Sequence, residues 1–237
     1  MAPTRKSTPG RNPLQGSNSS SFSNPIPPLH VQFHDGKAQQ DFLENFQKHS
    51  IHPERHVVLS DFSDTPPPDV IRTRDWDSLM EEPLRCPIVF VQEFYTNIHG
   101  IDTFVPCFAT TFQGTRIAVT PNLISEVLHV PMISHPDYPG YERLQTISTD
   151  ELLSHFYETP SIWGGKQNTP CSGCAKGLRF LNMVMAFTFT PLSHYNSIIK
   201  PRARFLLSLI EDLSINFPFH FITSILDVYH DTATRDS

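Results

Sequence analysis

The sequence predicts a mainly α-helical domain carrying one small β-hairpin, preceded by a disordered N-terminal leader. Apolar residues recur at helical spacing in several segments between residues 84 and 230, most of them opened by a Pro, Thr or Ser suited to a helix start. One pair of β-rich runs flanks Gln113-Gly114, where the glycine tolerates the positive φ of a tight turn. Residues 1–34 hold few large apolar side chains and much Ser, Pro, Asn and Gly, so burial cannot offset the entropy of ordering them. The expected division is a leader over 1–34 and a single domain over 35–237, with its helical core at about 84–230.

The elements follow in order. KAQQDFLENFQK (37–48) sets Phe42 and Phe46 four apart among polar residues, the mark of a short amphipathic helix. RHVVLSDF (55–62) reads as an extended run ended by Thr65-Pro66-Pro67-Pro68, and IRTRDWDSLM (71–80) brings Trp76 to the core edge. PIVFVQEFYTNI reads as a helix with Pro87 at its first turn, since Ile88, Val91, Tyr95 and Ile98 share one face with Phe90 and Phe94 beside them. It stops at His99-Gly100.

The hairpin occupies 104–119. Thr120-Pro121 then opens LISEVLHV, with Thr120 as cap and Pro121 at the first helical position. Residues 131–146 read as loop because of Pro131, Pro136, Pro139 and Gly140. Ser148-Thr149-Asp150-Glu151 starts the helix ELLSHFYE, and a second loop runs through TPSIWGGKQNTPCSGC. Leu178 to Phe187 is apolar on nearly every side, as a central buried helix is. Pro201 and Pro218 start the last two helices.

Composition narrows the functions. The 237 residues carry a net charge of −6, unevenly spread. Arg5, Lys6 and Arg11 make the leader +3, so a body with 15 cations and 24 acids stands at −9. Such a body lacks the clustered cations that phosphate contacts need. Four cysteines (Cys86, Cys107, Cys171, Cys174) are too few for a disulfide scaffold in a chain of this length. The N-terminus has no secretion signal, and the richest apolar run, Leu178–Phe189, is interrupted by Arg179 and Asn182 and too short to span a membrane. A soluble, reducing, intracellular setting is expected; cytoplasm and nucleus are not distinguished.

VQEFYTNIHG, then FQGTRIAVTPNLISEVLHVP, then LSHYNSI and KPRARFLLSLIEDL, set in a helix–hairpin–helix order, resemble the domain of plant transposon proteins. The resemblance runs from about Phe33 to the C-terminus. It implies a retroelement-derived plant protein or polyprotein piece, with no agreed catalytic or ligand residues to carry over. Members usually continue beyond the point where this chain ends at DTATRDS, which implies a C-terminally truncated copy. The order hairpin, Thr-Pro, short apolar helix, Val-Pro over 112–131 is similar to the plant mobile domain as well.

Catalytic motifs are missing. The sequence contains no Asp-Thr-Gly or Asp-Ser-Gly of a retroelement protease, no Tyr-x-Asp-Asp of a reverse transcriptase and no zinc knuckle. A phosphate-cradling glycine loop and a Gly-x-Ser-x-Gly elbow are absent too. Glu81-Glu82 and Glu211-Asp212 are adjacent pairs, which point apart on a helix. Three of Asp75, Asp77, Asp150 and Asp227 can be arranged into a transposase-like acidic triad only on paper, as any chain with 24 acids permits. His155, with Glu151 and Glu158, reads as a solvated helix face, and His194 as a cap or surface residue. The 18 phenylalanines fall mainly in apolar helical stretches and read as packing.

Two sets remain as candidates. Cys171-Ser-Gly-Cys174 can supply half of a tetrahedral zinc site, and with His129 and His135 it makes a His-x5-His, Cys-x2-Cys set similar to the zinc head of retroviral-type integrases. Its 35-residue spacer holds Pro136, Pro139 and Gly140, which suit a loop, and an inert thiol pair is the commoner outcome. No βαβ pattern precedes the cysteines, so a thioredoxin-like role is not expected. Lys200, Arg202 and Arg204 form a small basic cluster for nucleic acid at a helix start. The expectation is a non-enzymatic domain without cofactor, acting on a protein partner or on itself. The alternative is a nucleic-acid-binding remnant of an integrase or transposase.

Overall fold

Two apolar clusters organise the protein, and one long helix serves both. The computed structural model describes residues 31–48, 51, 56–62, 67–157, 168–189 and 197–234. The helix is α9 (Phe217–Thr234). Its first turn puts Phe217 into the larger cluster, with Trp76, Phe156, Phe189 and Phe205, while Ile222 and Leu226 enter the smaller one with Ile98, Phe108 and Val119.

The smaller cluster belongs to the hairpin. Strands β2 (Cys107–Phe112) and β3 (Thr115–Val119) pair antiparallel in register from Phe108↔Val119 to Phe112↔Thr115. Gln113 (φ 49°) and Gly114 (φ 73°) both turn in the left-handed region, as a two-residue hairpin loop matching the strand twist requires. The positive φ is what calls for glycine at 114; a Cβ there would also meet Gln32 Oε1 at 2.6 Å, a contact the flexible glutamine end can relieve by moving.

The fold is mainly helical as expected, but its strand content exceeds one hairpin. His99–Asp102 forms β1, pairing antiparallel with β2 through His99↔Ala109 and Asp102↔Cys107, so the sheet has the order β1-β2-β3. Asn168–Pro170 (β4) and Ser197–Ile199 (β5) make a second, two-stranded antiparallel sheet. Strands this short leave little alternation to read, and their pairing comes from distant chain.

Helix α1 (Gly36–Glu44) starts at Asp35, whose carboxylate accepts the Ala38 N–H at 2.7 Å. Residues 31–34, assigned to the leader by composition, are described and hydrogen-bonded; residues 1–30 lie outside the described residues. The run 55–62 is not extended throughout, since Leu59–Phe62 closes into a 3-10 turn ahead of the short α2 (Pro67–Arg72). Trp76 is 1 % exposed and sits at the centre of its cluster rather than the edge, with Phe189 edge-on at 5.5 Å and Phe217 at 5.1 Å.

Helix α3 (Ile88–Thr96) follows. The cap at Thr120 forms as expected, its hydroxyl accepting Leu123 N–H at the head of α4 (Pro121–Leu128). His129 closes α4 in the left-handed conformation (φ 53°). The expected loop over 131–146 contains a short helix, α5 (Glu142–Thr146). Ser148 caps α6 (Thr149–Ser154) by accepting Glu151 N–H at 3.1 Å. Beyond it, α7 (Lys176–Val184) runs into a π-helical turn, Met185–Phe189, and α8 (Lys200–Ile210) buries seven of its residues. Among the described residues the most enclosed α-helix is therefore α8, one α-helix later than the apolar run at Leu178 suggests. The Asp137 carboxylate accepts the Ser214 N–H and hydroxyl at 2.9 and 2.7 Å, tying the proline loop to the α8–α9 turn. No described helix is long and apolar enough to cross a membrane.

Candidate functional site

Among the described residues, three groupings of polar side chains are candidates for a site, and each has a different balance of donors and acceptors. The first is the inward face of α3. Apolar spacing puts Ile88, Val91, Tyr95 and Ile98 on one face; Ile98, just past the helix, is buried, but Ile88 is 57 % exposed and the buried positions within the helix and its cap are Gln92, Glu93, Thr96 and Asn97. Phe90 and Phe94 rest edge-on upon Phe112 and Phe108 of the hairpin, so one flank of the helix is apolar and another polar.

Each polar group on that flank has work to do. Glu93 is fully enclosed; its Oε1 accepts the N–H groups of Gln113 (2.9 Å) and Gln32 (3.3 Å), and its Oε2 the Gln113 side-chain amide (2.5 Å). The Asn97 side chain donates to Gln32 O (2.7 Å) and Glu93 O (3.0 Å) and accepts His34 N–H (2.9 Å). The Gln92 amide donates to Phe46 O and Gln47 O at 3.0 and 3.3 Å. A buried polar group without a partner costs about 1–3 kcal/mol, so this set holds residues 31–47 and the hairpin turn in one register. Sequence periodicity misses it because hydropathy says nothing of hydrogen-bond supply.

The second place is a cleft of about 270 Å³ lined by α1, β1 and α9. The His34 and His99 rings stack across its rim at 4.4 Å, 7° from parallel. His34 Nε2 lies 3.0 Å from Asp35 Oδ2, and His99 Nδ1 donates to Asn97 O at 2.8 Å. The backbone N–H of Ala38 lowers the pKa of Asp35, and burial raises that of Tyr229, with the Asp41 and Asp35 carboxylates adding to it. Lys37 and Asp41 complete the polar lining.

The third place is the Cys-x2-Cys turn. Strand β4 delivers Cys171 into a 3-10 turn, and Cys174 N–H donates to Cys171 O at 3.1 Å. Both cysteines are buried free thiols in hydrogen-bond contact with each other. The Tyr157 hydroxyl lies against Cys174 and also bonds Thr169 Oγ1 (2.9 Å) and Pro170 O. Strand β5, paired with β4, leads directly into α8, which turns Arg202 toward Cys171. Arg202 is 4 % exposed; its Nη1 donates at 3.4 Å to Asn182 Oδ1 and Ser197 O. Its Nε and Nη2 are buried without any partner.

The residues singled out from sequence separate accordingly. His129 and His135 are not brought to the cysteines: among the described residues no three His, Cys, Asp or Glu side chains converge as a metal would need. His129 instead ends α4, where Ser78 Oγ donates to Leu128 O at 2.6 Å. The basic cluster divides, with Lys200 and Arg204 exposed and Arg202 inside. Asp75, Asp77, Asp150 and Asp227 form no convergent group, and Asp212 and Glu211 pair with Arg74 (2.8 Å) and Arg143 (2.6 Å). Glu158 and His194 lie outside the described residues.

Neither the curated proteins nor the solved structures include a match to the chain. Residues 72–237, well over half of its length, match the family model of the putative plant retrotransposon-related domain, and the protein belongs to that family.

Proposed function

We propose that this retrotransposon-related domain acts without catalysis, through protein contact and foremost through self-association. The observation that carries the reading is Phe104, 92 % exposed at the tip of the β1–β2 turn. That turn is held in place: Asp102 Oδ1 accepts the N–H groups of Phe104 (2.8 Å) and Val105 (3.3 Å). A large apolar ring displayed on a fixed bend suits a contact surface better than a solvated loop.

Leu84, 95 % exposed, and Ile88 stand at the other end of the α3–sheet unit, because Phe90 packs on Phe112 beside the hairpin turn while Asp102 pairs with Cys107. Two apolar ends on one unit suit head-to-tail contact between copies. The buried Arg202 leaves Lys200 and Arg204 as the exposed cations of the helix start, which favours protein contact over nucleic acid.

Sedimentation equilibrium tests this directly. The wild-type chain is expected to show an apparent mass that rises with concentration, and Phe104→Ser combined with Leu84→Ser to remain monomeric while keeping its helical circular dichroism. A wild-type chain that stays monomeric at the highest attainable concentration overturns self-association.

A further inference from the structure

We propose that Cys171 and Cys174 are a dithiol modification site that a hydroperoxide oxidises, reversibly, to an intramolecular disulfide. The geometry comes from the chain on both sides. The β4–β5 pairing brings the start of α8 beside the 3-10 turn, which holds the two sulfurs in hydrogen-bond contact, and the buried Arg202 guanidinium interacts with Cys171. Ser172 and Gly173 are exposed, which places the sulfurs directly beneath the surface. Gly173 is also where the turn meets Tyr157, since a Cβ there would lie 3.0 Å from the ring.

Charge nearby favours ionising the pair, and the hydrogen bond between the sulfurs decides which one carries the thiolate. Arg202 has two buried N–H donors without partners, and among the described residues no carboxylate pairs with it. A buried cation without a counter-charge is costly, and the ionisable group it interacts with is Cys171, one of the hydrogen-bonded sulfur pair. One negative charge shared between the sulfurs meets that need. The thiol of Cys171 donates to Cys174 and favours the Cys174 thiolate, helped by the Tyr157 hydroxyl and by Arg179. The same hydrogen bond, with burial, holds the proton on Cys171.

The step balances. The Cys174 thiolate attacks the terminal oxygen of the hydroperoxide; the O–O bond breaks, an S–O bond forms, and the departing alkoxide or hydroxide takes a proton from water. Cys171 then attacks the sulfenic sulfur, the S–S bond forms, and the S–O bond breaks. Its proton leaves with the hydroxide as water. Both sulfurs are oxidised and the hydroperoxide is reduced; a thiol reductant reverses the change.

Hydrogen peroxide on the reduced full-length chain tests this, read by intact mass and by peptide mapping. The expected product has lost two hydrogens, carries a Cys171–Cys174 link, leaves exposed Cys86 open to alkylation, and returns to the dithiol with dithiothreitol. Cys171→Ser is expected to stop at a sulfenic acid on Cys174 that dimedone traps, and Cys174→Ser to react about tenfold more slowly. Oxidised wild-type protein with no such link overturns the proposal, whatever the variants do. So does metal bound to both thiols in the purified chain, or trapping on Cys171 as fast as on Cys174.

Discussion

The inward face of α3 and the inward face of α8 both bury a charged side chain, and they treat it in opposite ways. Glu93 receives three donors and is saturated. Arg202 retains two donors with nothing to accept them. A satisfied buried charge fixes geometry, because every movement breaks a bond in a low-dielectric setting. An unsatisfied one biases the chemistry of its neighbours, here a pair of thiols. Burial alone therefore does not tell structure from reactivity; the count of partners does.

The largest test of this contrast is at the saturated end. Glu93→Ala strips the acceptor from two backbone N–H groups and one amide, and is expected to cost about 4 kcal/mol at roughly 2 kcal/mol for each charged bond to the backbone. Denaturant titration of the variant measures it, and a loss below about 1 kcal/mol breaks the comparison.

Next comes His220, a half-buried residue whose ring stacks on Phe205 at 4.4 Å and stands edge-on to Tyr138 at 5.6 Å, with Nε2 buried and unpartnered. Burial pushes its pKa down to about 4. The unfolded chain binds a proton on this side chain near pH 6.5 and the folded one does not, so its stability is full above that value and falls as pH drops toward 4. The loss is expected to reach roughly 3 kcal/mol, and His220→Phe to remove that part of the pH dependence. Equal acid sensitivity in both proteins breaks the assignment.

The smallest effect is expected at Arg202. Arg202→Met fills the same volume without orphan donors, so stability is expected to hold or rise by about 1 kcal/mol. A loss as large as that of Glu93→Ala shows instead that Arg202 is as well paired as Glu93.

Signals confined to neighbouring residues were legible in the sequence: Thr120 and Ser148 as caps, Gln113-Gly114 as the hairpin turn, Pro201 and Pro218 as helix starts. What periodicity cannot carry is the origin of a hydrogen-bond partner. Gln92, Glu93, Thr96 and Asn97 look like the solvent face of a helix until the chain near Gln32 lies over them. Arg202 likewise looks like surface charge until β5 directs it inward. The Cys-x2-Cys turn stood out as chemistry, but its neighbours, Tyr157 and Arg179, have no spacing that announces them.

The backbone near Gln32 carries one more consequence. The family match opens at residue 72, while the amide and carbonyl that occupy Glu93 and Asn97 lie forty residues upstream. Trimming the gene at the family boundary thus removes the groups that seat α3, and leaves Asn97 and Gln92 facing a vacated trough. Recombinant work on this domain is best started at or before Val31.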